Sequence, residues 1–251
     1  MAQLKFSPGA GNAKLAALKG KVYTFSLPSG WTCPGAKDCL SKAVEKGGKY
    51  HIEDGKHTKF RCFSASQEVV YTAVREQRQY NFDLLKPLKS SPMEMAILIG
   101  DSLPANATIV RIHVAGDFFN PDYMAAWIIV ANLYPEITFY AYTKALNYWE
   151  QFLGEIPTNF KLNASKGGKH DQLIEKHNLK YAEVVYSEEE AVQKGLDIDH
   201  DDSKAIYGTA SFALLLHGVQ PAGSIAAKAL KELKGVGSYS KTKKNDTRKT
   251  N

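Results

Sequence analysis

Along the second half of the chain, apolar and polar positions alternate in two rhythms that replace each other every few residues. A period of two runs through IVRIHVA (Ile109 to Ala115), ITFYAYT (Ile137 to Thr143), FKLNAS (Phe160 to Ser165), AEVVYS (Ala182 to Ser187) and SFALLLHG (Ser211 to Gly218), which predicts strands. Helical spacing fills the gaps. Asn120 is placed to cap a helix opened by Pro121 and running to about Tyr134, NYWEQFL is a short helix, Ser187 with Glu190 forms a capping box, and Ser224 to Leu233 is a last helix. Upstream, VYTFSL (Val22 to Leu27) reads as a strand ended by Pro28, Ser29 and Gly30. A helix is predicted from Ser66 to Leu85, stopping before Pro87, and another from Pro92 to about Ile99. The alternation predicts an α/β fold: a mainly parallel sheet, open or curled into a partial (β/α) barrel, preceded by an N-terminal cysteine-bearing segment.

The same patterning divides the chain. Residues 1–20, rich in Gly, Ala and Lys, read as a flexible arm, and residues 21–237 as a single α/β domain. Within it, residues 40–61 form a polar excursion with a small hairpin expected around Asp54-Gly55. Residues 238–251 read as a basic, disordered tail.

Residues two apart on a strand share a face. Val110, Ile112 and Val114 therefore oppose Arg111 and His113; Ile137, Phe139 and Ala141 oppose Tyr140, Tyr142 and Lys144; Phe160, Leu162 and Ala164 oppose Lys161, Asn163 and Ser165. A parallel sheet packed on both sides should be apolar on both, so a polar face suggests a barrel interior or a cleft. Ligands of such sheets sit at the C-terminal strand ends. Arg111, His113, Asp117, Tyr142 and Lys144 are accordingly candidate catalytic residues, and Asn163 and Ser165 candidate cofactor-binding residues. The alternative is an open sheet with a solvated face and an unreactive His113.

The chain has three cysteines, Cys33, Cys39 and Cys62, spaced C-x5-C-x22-C. No apolar run is long enough for a membrane helix and the N-terminus lacks an apolar signal core, so a cytoplasmic location is expected, with no membrane partner and reduced thiols. Three thiolates plus an outside ligand suit a cubane iron–sulfur cluster, leaving one iron open. Tetrahedral zinc completed by His57 or His51 is the second reading, and three unrelated buried thiols the third.

The net charge of +6 is concentrated at one end. From Lys228 onward eight basic residues face only Glu232 and Asp246. Nucleic-acid binding by the tail is therefore one expectation, and a solvated terminus the other. DIDHDD (Asp197 to Asp202) lacks the glycine and distal glutamate of a calcium loop and reads as a solvated turn. No phosphate-binding loop, dinucleotide fingerprint or nucleophile elbow is present.

TCPGAKDC, RCF, RIHVAGDFFNPDYMAAW, FYAYTKALNYW and KLNASKGG, in that order from about Thr32 to Gly168, resemble the phage gene product 88 family. The resemblance implies a reduced relative of radical S-adenosylmethionine enzymes, with cysteines ahead of a partial barrel. It implies an iron–sulfur cluster, taken as 4Fe-4S, on Cys33, Cys39 and Cys62. The cluster would face a pocket near Arg111, His113, Asp117, Tyr142 and Lys144, with S-adenosylmethionine or an unknown small or macromolecular substrate at the open iron, in the host cell cytoplasm. The cysteines do not follow the C-x3-C-x2-C spacing of radical enzymes. The rival class is a zinc-stabilised module binding nucleic acid or a host protein; a metal-free enzyme using His113 and Asp117 as an acid–base pair comes last.

Overall fold

The computed structural model describes residues 2–12 and 14–233. The chain begins with β1 (Ser7–Pro8) and β2 (Val22–Thr24), then a hairpin of β3 (Ser41–Lys46) and β4 (Lys49–Asp54). Three helices follow, α1 (Phe63–Val70), α2 (Thr72–Leu85) and α3 (Pro92–Ser102). The alternating part runs β5 (Ile109–Ile112), α4 (Pro121–Leu133), β6 (Thr138–Thr143), α5 (Leu146–Trp149), β7 (Phe160–Ser165), α6 (Gln172–Lys176), β8 (Tyr181–Val185) and α7 (Glu188–Gln193). It closes with β9 (Asp197–Ile198), α8 (Ser203–Tyr207), β10 (Phe212–Leu215) and α9 (Ile225–Glu232).

Among the described residues eight strands form one sheet in the order β1-β2-β5-β6-β7-β8-β10-β9. Every neighbouring pair is parallel except β1 with β2. The α/β class and the mainly parallel sheet are as the alternation predicts. Among the described residues the outermost strands β1 and β9 do not pair with each other, so no closed barrel forms there. No helix among the described residues is long and apolar enough to cross a membrane.

The predicted apolar face is the main core: Val110, Ile112, Phe139, Ala141, Phe160, Leu162 and Ala164 pack with Trp127, Tyr123, Met95 and Ile99 from the covering helices. Asn120 accepts from the Tyr123 N–H at 2.8 Å and Ser187 from the Glu190 N–H at 3.1 Å, so both predicted caps form. The helix expected from Ser66 to Leu85 is two helices, broken at Tyr71, whose φ of −112° and ψ of 100° are extended.

Three expectations need correction. The first twenty residues are not loose: β1 pairs with β2, and Leu4, Leu15 and Leu18 are buried. Leu15 and Leu18 pack with Tyr140, Ala205, Ile206 and Phe212 on the second sheet face, which is therefore covered. The hairpin turns at Gly47-Gly48, with φ of 60° and 76°, the conformation a two-residue turn needs at both positions; Asp54 instead ends β4. The DIDHDD segment is not a solvated turn, because Asp199 and Asp202 are buried. The expected disordered tail, 238–251, lies outside the described residues.

Candidate functional site

The hairpin explains how Cys62 reaches the other cysteines. β3 begins just after Cys39, and β4 returns antiparallel with Ser41 opposite Asp54. The strand base is tied by Gly55 N–H to Leu40 O (2.7 Å), Lys59 N–H to Asp38 O (2.7 Å) and a forked Arg61–Asp54 pair (2.6 Å). Cys62 then donates its N–H to Ser41 Oγ at 3.2 Å and stands at the N-cap position of α1. Twenty-odd residues of excursion thus end where they began.

The Cys33–Cys39 loop is fastened from two sides. Gly30 N–H donates to Cys33 Sγ at 3.3 Å, and Ser29 N–H donates to Glu68, which is itself locked in a buried 2.8 Å pair with Arg78. From the other side, Lys169 N–H bonds Gly35 O and Asp38 N–H bonds Gly167 O, both at 2.9 Å, which is what the SKGG segment after β7 does. At Gly35 a Cβ would stand 2.1 Å from the Lys144 carbonyl oxygen, so only glycine lets the loop lie against the end of β6.

Cys33, Cys39 and Cys62, all free and half-buried, line one cavity of about 520 Å³. Burial raises all three thiols. Cys33 stands well above its ordinary value, with the Asp117 charge and the other two cysteines adding to the rise. Cys39 is pushed up to about 11 despite the nearby Lys144 cation. Cys62 is raised less sharply because the amides of Ser64 and Ala65 at the helix start oppose its burial. Nucleophilic cysteines need the opposite shift. Grouped, protonated thiols are converted to thiolates when a cation arrives to compensate the charge, which is the chemistry a soft metal group would draw on. Among the described residues no three His, Cys, Asp or Glu side chains form a set that could hold one metal ion. Tetrahedral zinc would need its sulfurs about 3.8 Å apart. His51 and His57 are exposed and neither lines the cavity.

Arg111, His113, Asp117, Tyr142, Lys144 and Ser165 all line the same cavity; Asn163 does not. Their bonding separates their roles. Asp117 accepts from Phe118 N–H (2.8 Å), Thr143 Oγ1 (2.6 Å) and Lys144 N–H (2.8 Å), and burial lifts it to about 6 despite these donors. It pins the turn on which Gly35 rests. Lys144 Nζ donates to Ser165 O, Ser165 Oγ and Lys166 O at 2.7–2.9 Å, which uses all three of its protons. His113 directly follows β5 with φ of 65°, shares a 3.1 Å hydrogen bond between Nε2 and Tyr123 Oη, and is lowered by burial to about 3, so it is neutral. Asn163 is fully buried and reaches under α8 to Ala205 O at 3.2 Å.

Three residues were missed by sequence reasoning. Asp202, with φ of 62°, accepts from Lys14 Nζ (2.7 Å) and Tyr142 Oη (2.9 Å) on one oxygen, and from Arg111 Nη1 (2.7 Å) and Tyr140 Oη (2.8 Å) on the other. Lys14 and His217 line the cavity. His217 sits just past β10, where the strand-end rule points; Lys14 lies in the glycine-rich arm and carries no such signal.

The gene product 88 family model matches residues 3–234. The chain belongs to that family. It is 29% identical over 137 residues to the Gene 88 protein of Mycobacterium phage D29, covering 51% of this chain and 50% of that protein. Identity to the Gene 88 protein of Mycobacterium phage L5 is 27% over 137 residues, with the same coverage. The chain spans about half the length of these curated relatives. No solved structure matches.

Proposed function

We propose that this is a phage-encoded iron–sulfur protein in which Cys33, Cys39 and Cys62 hold a cluster, 4Fe-4S in type, whose fourth iron opens onto the cavity. The observation that carries the reading is that three cysteines spread over thirty residues of sequence line one cavity together with the C-terminal ends of β5, β6 and β7. Three cysteines lining one cavity supply the thiolate count that a cluster with one open iron needs. Zinc has less support, since both of its candidate histidines lie on the exposed excursion.

When bound, such a cluster supplies electrons and a Lewis-acidic iron site. The chain's own residues would do the rest. The Gly30 N–H and the amides at the start of α1 stabilise thiolate sulfur. Asp117, Lys144 and Ser165 hold the strand-end turns that shape the cavity wall. Neutral His113 is a polar group that adds no charge. On this reading the polar face of the sheet walls the cavity as in a partial barrel, and S-adenosylmethionine is one candidate for the open iron. The setting would be the host cytoplasm.

Anaerobically purified protein should be brown, contain iron and sulfide in a near 1:1 ratio, and lose both when any one of the three cysteines is changed to serine. Colourless protein that takes up no iron on reconstitution would overturn the reading, and stoichiometric zinc in its place would favour the structural-metal alternative.

A further inference from the structure

His113 keeps an unused polar atom on the cavity wall. The residue lines the cavity, is only 4% exposed, and its Nδ1 has no hydrogen-bond partner among the described residues. A buried polar atom left unpaired is costly, so one retained at a cavity wall points to an atom of whatever fills the cavity. The backbone is bent to put the ring there. A left-handed φ of 65° directly after β5 breaks the strand alternation, so the ring reaches Tyr123 of α4 and stands edge-on to Phe118, 4.7 Å between ring centres. Backbone strain of this kind at residues other than glycine gathers at functional sites.

Tyr123 decides which ring nitrogen carries the proton. Its hydroxyl is fully buried, and burial pushes it up, so it stays protonated. The neighbouring Trp127 indole can only donate, which leaves His113 Nε2, at 3.1 Å, as the acceptor for the hydroxyl proton. The neutral ring therefore holds its own proton on Nδ1, and the unpaired atom is a donor without charge. The rest of the wall asks for no charged ligand. Phe60, Phe63, Val114, Val184, Leu214 and Leu216 make much of it apolar. Its cations are answered within the protein: Lys14 and Arg111 by Asp202, with Asp199 beside Lys14, and Lys144 by three oxygens.

We propose that His113 Nδ1–H donates a hydrogen bond to the carbonyl-type oxygen of a small, uncharged, largely apolar molecule held in this cavity. A volume of about 520 Å³ suits such a ligand. A neutral donor in an apolar wall selects by penalty, because a molecule of the same shape without the oxygen leaves the N–H buried and unpaired. His113 is then a recognition residue rather than an acid or a base. The assignment does not rest on the cluster reading.

The test has two arms, both on the full chain before any reconstitution with iron and sulfide. Long-range proton–nitrogen NMR of histidine-labelled protein, with the His113 signals assigned by their loss in His113→Asn, should find the ring proton on Nδ1. Calorimetric titration should find acetophenone bound at least tenfold more tightly than α-methylstyrene, the hydrocarbon of the same shape. His113→Asn, whose amide can stand where Nδ1 does and which tolerates a left-handed backbone, should keep that preference, and His113→Phe should abolish it. A ring proton on Nε2, acetophenone bound no better than α-methylstyrene, or a preference that survives in His113→Phe would overturn the proposal. If His113→Phe does not fold, the tautomer and the wild-type preference decide. Neither arm needs iron, so a chain that takes up no cluster yet passes both sustains the recognition and removes the cluster reading alone.

Discussion

Asp202→Asn removes one negative charge from between two cations while keeping the side chain's size and its tolerance of a left-handed backbone, φ 62°. Lys14 is 7% exposed, Arg111 12% and Asp202 0%, so solvent screens little of the loss. The pull of Arg111 and Lys14 outweighs burial and lowers the Asp202 carboxyl from 3.8 to about 2. That depression alone corresponds to about 2 kcal/mol of stability. Breaking a buried ion pair by removing one partner costs about 3–5 kcal/mol, because the remaining charges stay buried. The variant should therefore lose about 2–5 kcal/mol in urea unfolding at pH 7. The sign of the pH dependence follows from the depressed carboxyl: its contribution is complete above about pH 4 and disappears as pH falls toward about 2. Urea midpoints of wild type and variant, measured at steps from pH 6 downward, should stay apart to about pH 4 and converge below it. A gap of constant size down to pH 2.5, or a loss under 1 kcal/mol at pH 7, would refute the electrostatic account.

Other substitutions test other links. Gly35→Ala forces a methyl onto the Lys144 carbonyl, and should cost about 1–3 kcal/mol in urea unfolding and lower the iron bound per chain on reconstitution; a variant with wild-type stability and iron content would show that the loop can move aside. Glu68→Met leaves Arg78 unpaired and detaches the Ser29 amide, so a loss of about 3–5 kcal/mol is expected, whereas the double change Glu68→Met with Arg78→Met should recover most of it; equal losses in both would argue against the ion pair as the cause. Ser187→Ala removes the cap of α7 and should cost about 1 kcal/mol, read as a shift in urea midpoint with unchanged slope.

Much of the fold was legible because it is written in local periodicity. The inward set Val110, Ile112, Phe139, Ala141, Phe160, Leu162 and Ala164 follows from alternation alone, and Asn120-Pro121 and Ser187 announce helix starts by their own hydrogen-bonding chemistry. The break at Tyr71 falls in a run of β-branched and aromatic residues, Val69, Val70, Tyr71 and Thr72, whose weak helix propensity was a legible but passed-over signal. The turn at Gly47-Gly48 was legible in principle, since paired glycines supply positive φ more readily than Asp-Gly.

For the candidate site, strand alternation singled out Arg111, Tyr142 and Ser165 before any contact was known, because side-chain direction on a strand is a property of the backbone, while His113, Asp117 and Lys144 lie past the strands and were found by strand-end position alone. The sequence by itself determined the α/β class, the apolar sheet face and the three cysteines as a spaced set. Only the tertiary structure decided that these cysteines share one cavity, that Lys144 and Asp117 spend their hydrogen bonds on holding turns, and that Asp202 from an acidic stretch and Lys14 from the N-terminal segment meet Arg111 in the interior. Each of these depends on pairings across tens of residues, Lys14 with Asp202 and Arg111 with Asp202 among them. Periodicity, which reports only on a residue's near neighbours, holds no record of them.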